Sequence, residues 1–205
     1  MKNISTYISE KLKISSAKPT YAFTPQNKNE LKSILIELIK KRGCDADLND
    51  IDTKQITNMS FLFDDPKLKK FCGDISEWDV SNVTNMGCTF IDCTKFDSDL
   101  SNWNVSNVTS MSSMFAGCKN FNSDLSYWDV SKVKNMNYMF KRCENFNSDL
   151  SRWNVSNVTN MYHMFDNCKK FNQDLSKWNI KNDSDIRNMF DNCTSLQNKP
   201  AWYKE

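Results

Sequence analysis

The chain has 205 residues, and its 27 Lys and Arg nearly balance 25 Asp and Glu. This length suffices for one domain or for a cap and a short repeat array, and four Gly and four Pro are too few for a β-sandwich rich in tight turns. Residues 1–43 hold nine basic and three acidic side chains, so a basic start precedes a mildly acidic body. That distribution argues against a nucleic-acid partner for the chain as a whole.

The start of the chain bears on location. No apolar run approaches the roughly 20 residues that cross a bilayer, so no membrane insertion is expected. The segment MKNISTYISEKLKI lacks the continuous apolar stretch and the cleavage site of a secretory peptide. We therefore expect a cytoplasmic or virion-associated protein, with the cell surface, reached by non-classical export, as the alternative.

Residues 1–18 are predicted to form an amphipathic segment and a linker. Ser5 is a suitable N-cap, and Ile4, Ile8 and Leu12 share one face of a short helix over 3–14.

Residues 19–46 are predicted to form a helical N-terminal cap. A short strand is expected at 21–23. Asn27 and Glu30 have the spacing of a capping box, and Gly43 follows the basic last turn. The apolar stripe of this helix is Leu31, Ile34, Leu35, Leu38 and Ile39. Such a helix would cover the open end of a repeat array.

A 25-residue phrase then recurs over residues 47–203, in about six coils. Its clearest copy is NVSNVTSMSSMFAGCKNFNSDLSYW, at 104–128, and a fixed period of this length indicates stacked repeats. The recurring residues include Trp78, Trp103, Trp128, Trp153 and Trp178, and Phe90, Phe115, Phe140, Phe165 and Phe190. We expect these to form the core rather than a base-stacking surface.

Two periods alternate within one copy. Val108, Met111 and Cys118 are separated by threes and fours, which predicts a short helical turn, whereas Leu125, Trp128 and Val130 predict a brief strand. The predicted fold is therefore an α/β solenoid of the leucine-rich-repeat type. It has one short parallel strand and one short helix per 25-residue repeat, with a helical N-terminal cap.

Five of the eight cysteines recur at one repeat position, where the first copy has Leu68. A position that accepts Leu is an apolar core site, so buried free thiols are expected, with cross-links or a metal as alternatives. Zinc would want paired Cys or Cys/His spacing. No metal and no cofactor is therefore predicted. The column is Cys93, Cys118, Cys143, Cys168 and Cys193.

A ladder of aspartates occupies another repeat position. Stacked carboxylates repel one another and need hydrogen-bond donors, which backbone amides at each bend or the neighbouring indoles could supply. We predict turn capping, with a line of calcium ions as the alternative. The ladder is Asp47, Asp74, Asp99, Asp124, Asp149 and Asp174.

No residue set argues for catalysis, so the chain is not expected to be an enzyme. The recurring serines, such as Ser126, lack a base in most copies, and His163 is the sole histidine. A polar pocket that held His163 beside an activated cysteine would reopen the question.

The positions that vary while their neighbours do not are candidates for a partner-binding face. Because Trp is expected to point inward, the residues beside it should point outward on the concave strand face. These residues are Glu77, Asn102, Tyr127, Arg152 and Lys177, together with Asp79, Asn104, Asp129, Asn154 and Asn179. A solvated face is the alternative. A second variable set, on the helical side, is Tyr138, Tyr162, His163 and Arg187.

The phrase WxVSNVTxMxxMFxxCxxFNxDLS resembles the BspA-like leucine-rich-repeat "surface protein" family, over roughly residues 44–203. The resemblance implies a curved solenoid with parallel strands and often adhesion or host-protein binding. We therefore expect a non-enzymatic interaction module that binds a protein or a glycan.

The segment MKNISTYISE resembles the short head-targeting peptides of some tailed phages, which are cut after Ile/Leu-x-Glu, here Ile8, Ser9 and Glu10. This resemblance implies the alternative function, a phage or prophage structural or capsid-packaged protein with an N-terminal targeting peptide.

Overall fold

The computed structural model describes residues 21–204. The expectations for a helix over 3–14, for the linker and for a targeting peptide therefore lie outside the described residues. The proposed division at residues 18 and 46 stays a prediction.

Helix α1 spans Lys28–Arg42. The Asn27 side chain accepts hydrogen bonds from the amides of Asn29 and Glu30, and the Glu30 carboxylate accepts one from the Gln26 amide at 2.8 Å. Capping of this kind satisfies backbone donors that have no partner inside a helix. Leu31 and Leu35 are fully buried, so the predicted apolar face of this helix packs into the core.

The repeats contain neither the predicted strands nor the predicted helices. Between residues 21 and 204 the parallel pairing consists of isolated bridges, such as Asn85 with Ser110 and Ser110 with Asn135, and α1 is the sole α-helix. The predicted strand at 21–23 is likewise a single bridge, from Phe23 to Ile51. The prediction of a leucine-rich-repeat-like α/β solenoid, with one strand and one helix in each repeat, is wrong.

The physical reason lies in the segment that follows each bridge. Ser113 has a φ of 53° and Gly117 one of 79°, and the same two positions are left-handed in the later repeats. A left-handed residue interrupts an α-helix, because regular helices need right-handed φ and ψ throughout. Apolar residues spaced three and four positions apart thus mark consecutive turns rather than a helix.

Alternate amides in this segment bond to the next repeat. Ser113 donates to the Asn137 carbonyl at 2.8 Å and Phe115 donates to the Met139 carbonyl at 2.9 Å, whereas the intervening Met114 amide closes a turn onto Met111 at 3.1 Å. Half of the amides therefore join coils and half shape the coil itself. The predicted strand around Leu125 and Trp128 is a turn of the same kind, since the Trp128 amide bonds to the Leu125 carbonyl.

Aromatic columns fill the interior of the stack. The ring of Phe115 lies 5.6 Å from that of Phe90 and 5.7 Å from that of Phe140, nearly parallel to both. Trp178 lies 6.4 Å from Trp153, and Trp202 continues that column at the C-terminal end. The expected Trp and Phe core is confirmed, because these side chains are almost entirely buried.

Candidate binding surface

The predicted partner-binding positions lie on the outside of the repeat corners. Each residue before a Trp is exposed, and we call these five positions the corner row: Glu77, Asn102, Tyr127, Arg152 and Lys177. They belong to turns, whereas the sequence pattern predicted a strand face at these positions. Exposure places them where a partner could reach, and binding by them stays a prediction.

The Trp side chain next to each corner is hydrogen-bonded to the backbone of the preceding repeat. The Trp128 indole Nε1 donates to the Leu100 carbonyl oxygen of the preceding repeat at 3.0 Å, and the indole is 4 % exposed. A buried indole N–H requires such a partner. Tyr127, the residue before Trp128, therefore lies next to a side chain that is hydrogen-bonded to the preceding repeat.

The aspartate ladder stabilises the same corners by accepting hydrogen bonds from backbone amides. Asp124 Oδ1 accepts the Ser126 amide at 2.9 Å, and Asp99 and Asp149 accept the amides of Ser101 and Ser151 in the same way. Bonds from the Ser151 amide lower the pKa of Asp149. The predicted turn-capping role is thus confirmed. The indoles, however, donate to backbone carbonyls and not to these carboxylates.

The second predicted set lies beside the corner row, and we call it the inner row: Asp79, Asn104, Asp129, Asn154 and Asn179. All five are exposed except Asp79, which is half-buried. Asn104 Oδ1 accepts both the amide and the hydroxyl of Ser106, and Asp129 Oδ1 accepts the Ser131 amide at 3.0 Å. Asp79 and Asn154 accept the amide two residues later in the same way, so one oxygen of each of these four side chains caps a turn, which reduces what they can offer a partner.

The corner row contains one prominent aromatic side chain. Tyr127 is 77 % exposed, and the Arg152 guanidinium of the next repeat lies 5.4 Å from its ring centroid. Together with Asp124, Asp149 and Asn122 these residues line a shallow cavity of about 430 Å³. A large exposed aromatic ring that is stacked with a cation combines apolar area and hydrogen-bond donors in one place.

The variable residues of the second set converge, although the segment that carries them is not helical. His163 stacks on Tyr138, with ring centroids 5.4 Å apart, and contacts Tyr162 edge-on at 4.2 Å. Arg187 lies over the Tyr162 ring at 5.3 Å. Tyr138 and His163 are left-handed, with φ of 57° and 52°.

Sequence reasoning missed the charged centre of this cluster, which consists of Lys141 and Asp166. Lys141 Nζ lies 2.9 Å from Asp166 Oδ2, and His163 Nδ1 lies 3.1 Å from the same oxygen. Burial opposes the ionisation of Asp166, but Lys141 and His163 outweigh it and leave the pKa of Asp166 below its usual value. Opposite charges 25 residues apart were the available signal, because that spacing makes them neighbours.

The cysteine column consists of free thiols. Cys118 and Cys143 are fully buried, and their Sγ atoms lie 3.0 Å from the carbonyl oxygens of Phe90 and Phe115. Burial raises the pKa of both thiols well above the ordinary value. These cysteines therefore fill space and donate weak hydrogen bonds, as expected, and are poor nucleophiles.

Residues 21–204 contain neither a membrane-spanning helix nor a cluster of metal-ligand side chains. No helix there is long and apolar enough to cross a membrane. No three His, Cys, Asp or Glu side chains in that range converge as metal ligands would.

Comparison with known families identifies the repeat. The profile of the family described as "Mycoplasma protein of unknown function, DUF285" matches residues 35–133 and again residues 100–203. The chain belongs to the DUF285 family. Membership agrees with the resemblance to BspA-like repeats at the level of the repeat family and is no more specific. No curated protein and no solved structure matches the chain.

Proposed function

We propose that this DUF285 protein is a non-enzymatic interaction module that binds its partner through the corner row. The observation that carries the proposal is the exposed Tyr127 ring with Arg152 stacked beside it. Tyr and Arg are enriched among the residues that dominate binding energy at protein interfaces, so a protein partner is favoured over a glycan.

The shape of the corner row supports an extended partner segment. The Trp rings beside these corners repeat at 6.4 Å, so the five corners form a strip about 25 Å long, which matches about seven residues of extended chain. The strip runs from acidic Glu77 to basic Arg152 and Lys177. An extended segment with the opposite order of charges is therefore the complement that this surface fits.

A two-residue variant tests the proposal. Tyr127→Ala with Arg152→Ala should weaken capture of a peptide from a library of extended decapeptides by at least about tenfold, because each side chain belongs to the exposed pair. The matched control is Lys132→Ala with Lys170→Ala, two exposed lysines outside the row. A glycan array probed in parallel gives the other arm.

Three outcomes are informative. Loss of peptide binding in the Tyr127 and Arg152 variant alone supports the proposal. Loss of glycan binding in that variant keeps the corner row as the site and replaces the partner class. Equal binding by the variant, the control and the wild type would remove the corner row as a binding surface.

A further inference from the structure

Two cysteines outside the repeat column face each other where the cap meets the first repeat. Cys44 follows α1 directly after Gly43, and Cys72 precedes Gly73. Their sulfur atoms are 3.8 Å apart. Both thiols are free and half-buried, so a small reagent can reach them.

The backbone holds the two segments together. The Cys72 amide donates to the Cys44 carbonyl at 2.8 Å, and the Asp74 amide donates to the Ala46 carbonyl at 3.1 Å. A Cβ at Gly73 would lie 2.0 Å from the Ala46 carbonyl oxygen, so this close approach depends on glycine. Gly43 has a φ of 101°. The two thiols are thus fixed side by side by short-range backbone constraints.

The column cysteines lack this arrangement. Cys118 and Cys143 point their sulfurs at backbone carbonyls and are fully buried. Among residues 21–204, the sulfur-to-sulfur contact therefore distinguishes Cys44 and Cys72 from the column. Shortening it to the roughly 2.0 Å of an S–S bond requires changes in side-chain torsion angles and little backbone movement.

We propose that Cys44 and Cys72 form a disulfide in the presence of an oxidising small-molecule disulfide, which fastens the end of α1 to the first repeat. One cysteine thiolate attacks a sulfur of oxidised glutathione, whose S–S bond breaks and releases one glutathione thiolate. The second cysteine thiolate then attacks the mixed disulfide and releases the other glutathione. The two cysteines lose two protons and two electrons in total, and the electrons reduce the glutathione disulfide.

The disulfide would join the helical cap covalently to the first repeat. The bond links residues 28 positions apart, and closing a loop of that size restricts the unfolded chain. Burial and the adjacent Cys44 sulfur raise the pKa of Cys72, so the thiolate fraction is small near neutral pH and the exchange should accelerate as the pH is raised.

The experiment treats the full-length chain with oxidised glutathione at pH 8. Titration of the unfolded, quenched sample should fall from eight free thiols to six, and the intact mass should drop by two hydrogen atoms. Peptide mapping should join the fragments that contain Cys44 and Cys72. The midpoint of thermal unfolding should rise by about 5–15 °C and return on reduction.

Single variants complete the test. Cys44→Ser and Cys72→Ser should each prevent the intramolecular bond and the thermal shift, and the remaining cysteine of the pair should stay free or keep one glutathione as a mixed disulfide, whereas Cys88→Ser, at another half-buried cysteine, should still lose two thiols and show the shift. In the wild type, eight remaining thiols, a stable glutathione adduct without closure, or a bond to a different cysteine would each overturn the proposal.

Discussion

Trp128 donates its indole N–H to the Leu100 carbonyl oxygen at 3.0 Å, and this bond recurs at each Trp of the column. It ties the core of one repeat to the backbone of the repeat before it. The ring and the nitrogen of each Trp therefore have different roles. The ring fills the Trp column in the core, and the nitrogen fixes the alignment of one repeat on the one before it.

Replacing Trp128 by Phe should lower the free energy of unfolding by about 1–3 kcal/mol, because it removes one of the two donors to the buried Leu100 carbonyl, the Trp103 amide being the other, and removes part of the ring. Urea denaturation measures the change. Tyr127→Phe, one residue earlier and exposed, should stay within about 0.5 kcal/mol of wild type. Equal effects at the two positions would mean that the indole bond does not set the register.

The buried thiols predict a loss of stability at high pH. Burial raises the pKa of Cys93 to about 12, above the roughly 8.5 of an unfolded cysteine. The unfolded chain therefore loses these protons first, so the stabilisation is complete below about pH 8.5 and disappears as the pH rises toward 12. Each such thiol contributes a slope of up to about 1.4 kcal/mol per pH unit in that window.

A double variant isolates this slope from other titrating groups. Cys118→Ala with Cys143→Ala should make the decline between pH 9 and 11 shallower in a series of urea titrations. Met136→Leu, a buried change that adds or removes no titrating group, should leave the slope unchanged. An unaltered slope in the cysteine variant would show that the column thiols ionise as easily in the folded protein as in the unfolded one.

Arg142 occupies a left-handed position, with a φ of 60°, where an earlier repeat has Gly117. Its side chain is exposed. Arg142→Gly should therefore raise the free energy of unfolding by about 0.5–1 kcal/mol, because the steric cost of a left-handed Cβ exceeds the entropy that glycine adds to the unfolded chain. Chemical denaturation provides the readout.

The control for that change is Asn120→Gly, at an exposed residue outside the left-handed positions. It should lower stability by about 0.5–1 kcal/mol. If both glycine variants were destabilised alike, the left-handed turn would not exist at 142.

Asp166 predicts a loss of stability in acid. Its pKa lies below the ordinary value despite burial, because Lys141 and His163 favour the carboxylate. Its contribution is present above about pH 4 and disappears as the pH falls through the lowered pKa. Asp166→Asn should therefore flatten the decline between pH 5 and 2, as followed by thermal unfolding.

Asp92→Asn, at an exposed carboxylate, should leave the acid profile close to wild type. Asp166→Asn should also lower stability at pH 7 by about 1–3 kcal/mol, since Lys141 loses its counter-charge. A profile that matched wild type in both variants would contradict the buried ion pair.

The sequence predicted the core well because one period controls it. Residues 25 positions apart, such as Phe115 and Phe140, occupy equivalent positions in neighbouring repeats, and they stack in a helical and in a turn-based repeat alike. Their burial and the turn-capping role of Asp124 could therefore be predicted from spacing. The α1 boundaries followed in the same way from local signals at Asn27 and Gly43, which act without help from distant contacts.

The local conformation of the repeats could not be read in this way. A left-handed residue at Ser113 or Tyr138 carries no glycine signal, because inter-repeat hydrogen bonds hold the strained conformation. Threes and fours in the apolar pattern then appeared helical. The Lys141–Asp166 pair was missed for a related reason, since it depends on contacts between coils rather than on a motif.

The turn structure of the repeats is tested most directly by backbone chemical shifts from nuclear magnetic resonance of the labelled full-length chain. They should show one continuous α-helical run over residues 28–42 and single left-handed residues at Ser113, Tyr138 and His163. Helical runs that recurred every 25 residues, for example at 108–118 and 133–143, would contradict this structure and restore a helix to every repeat.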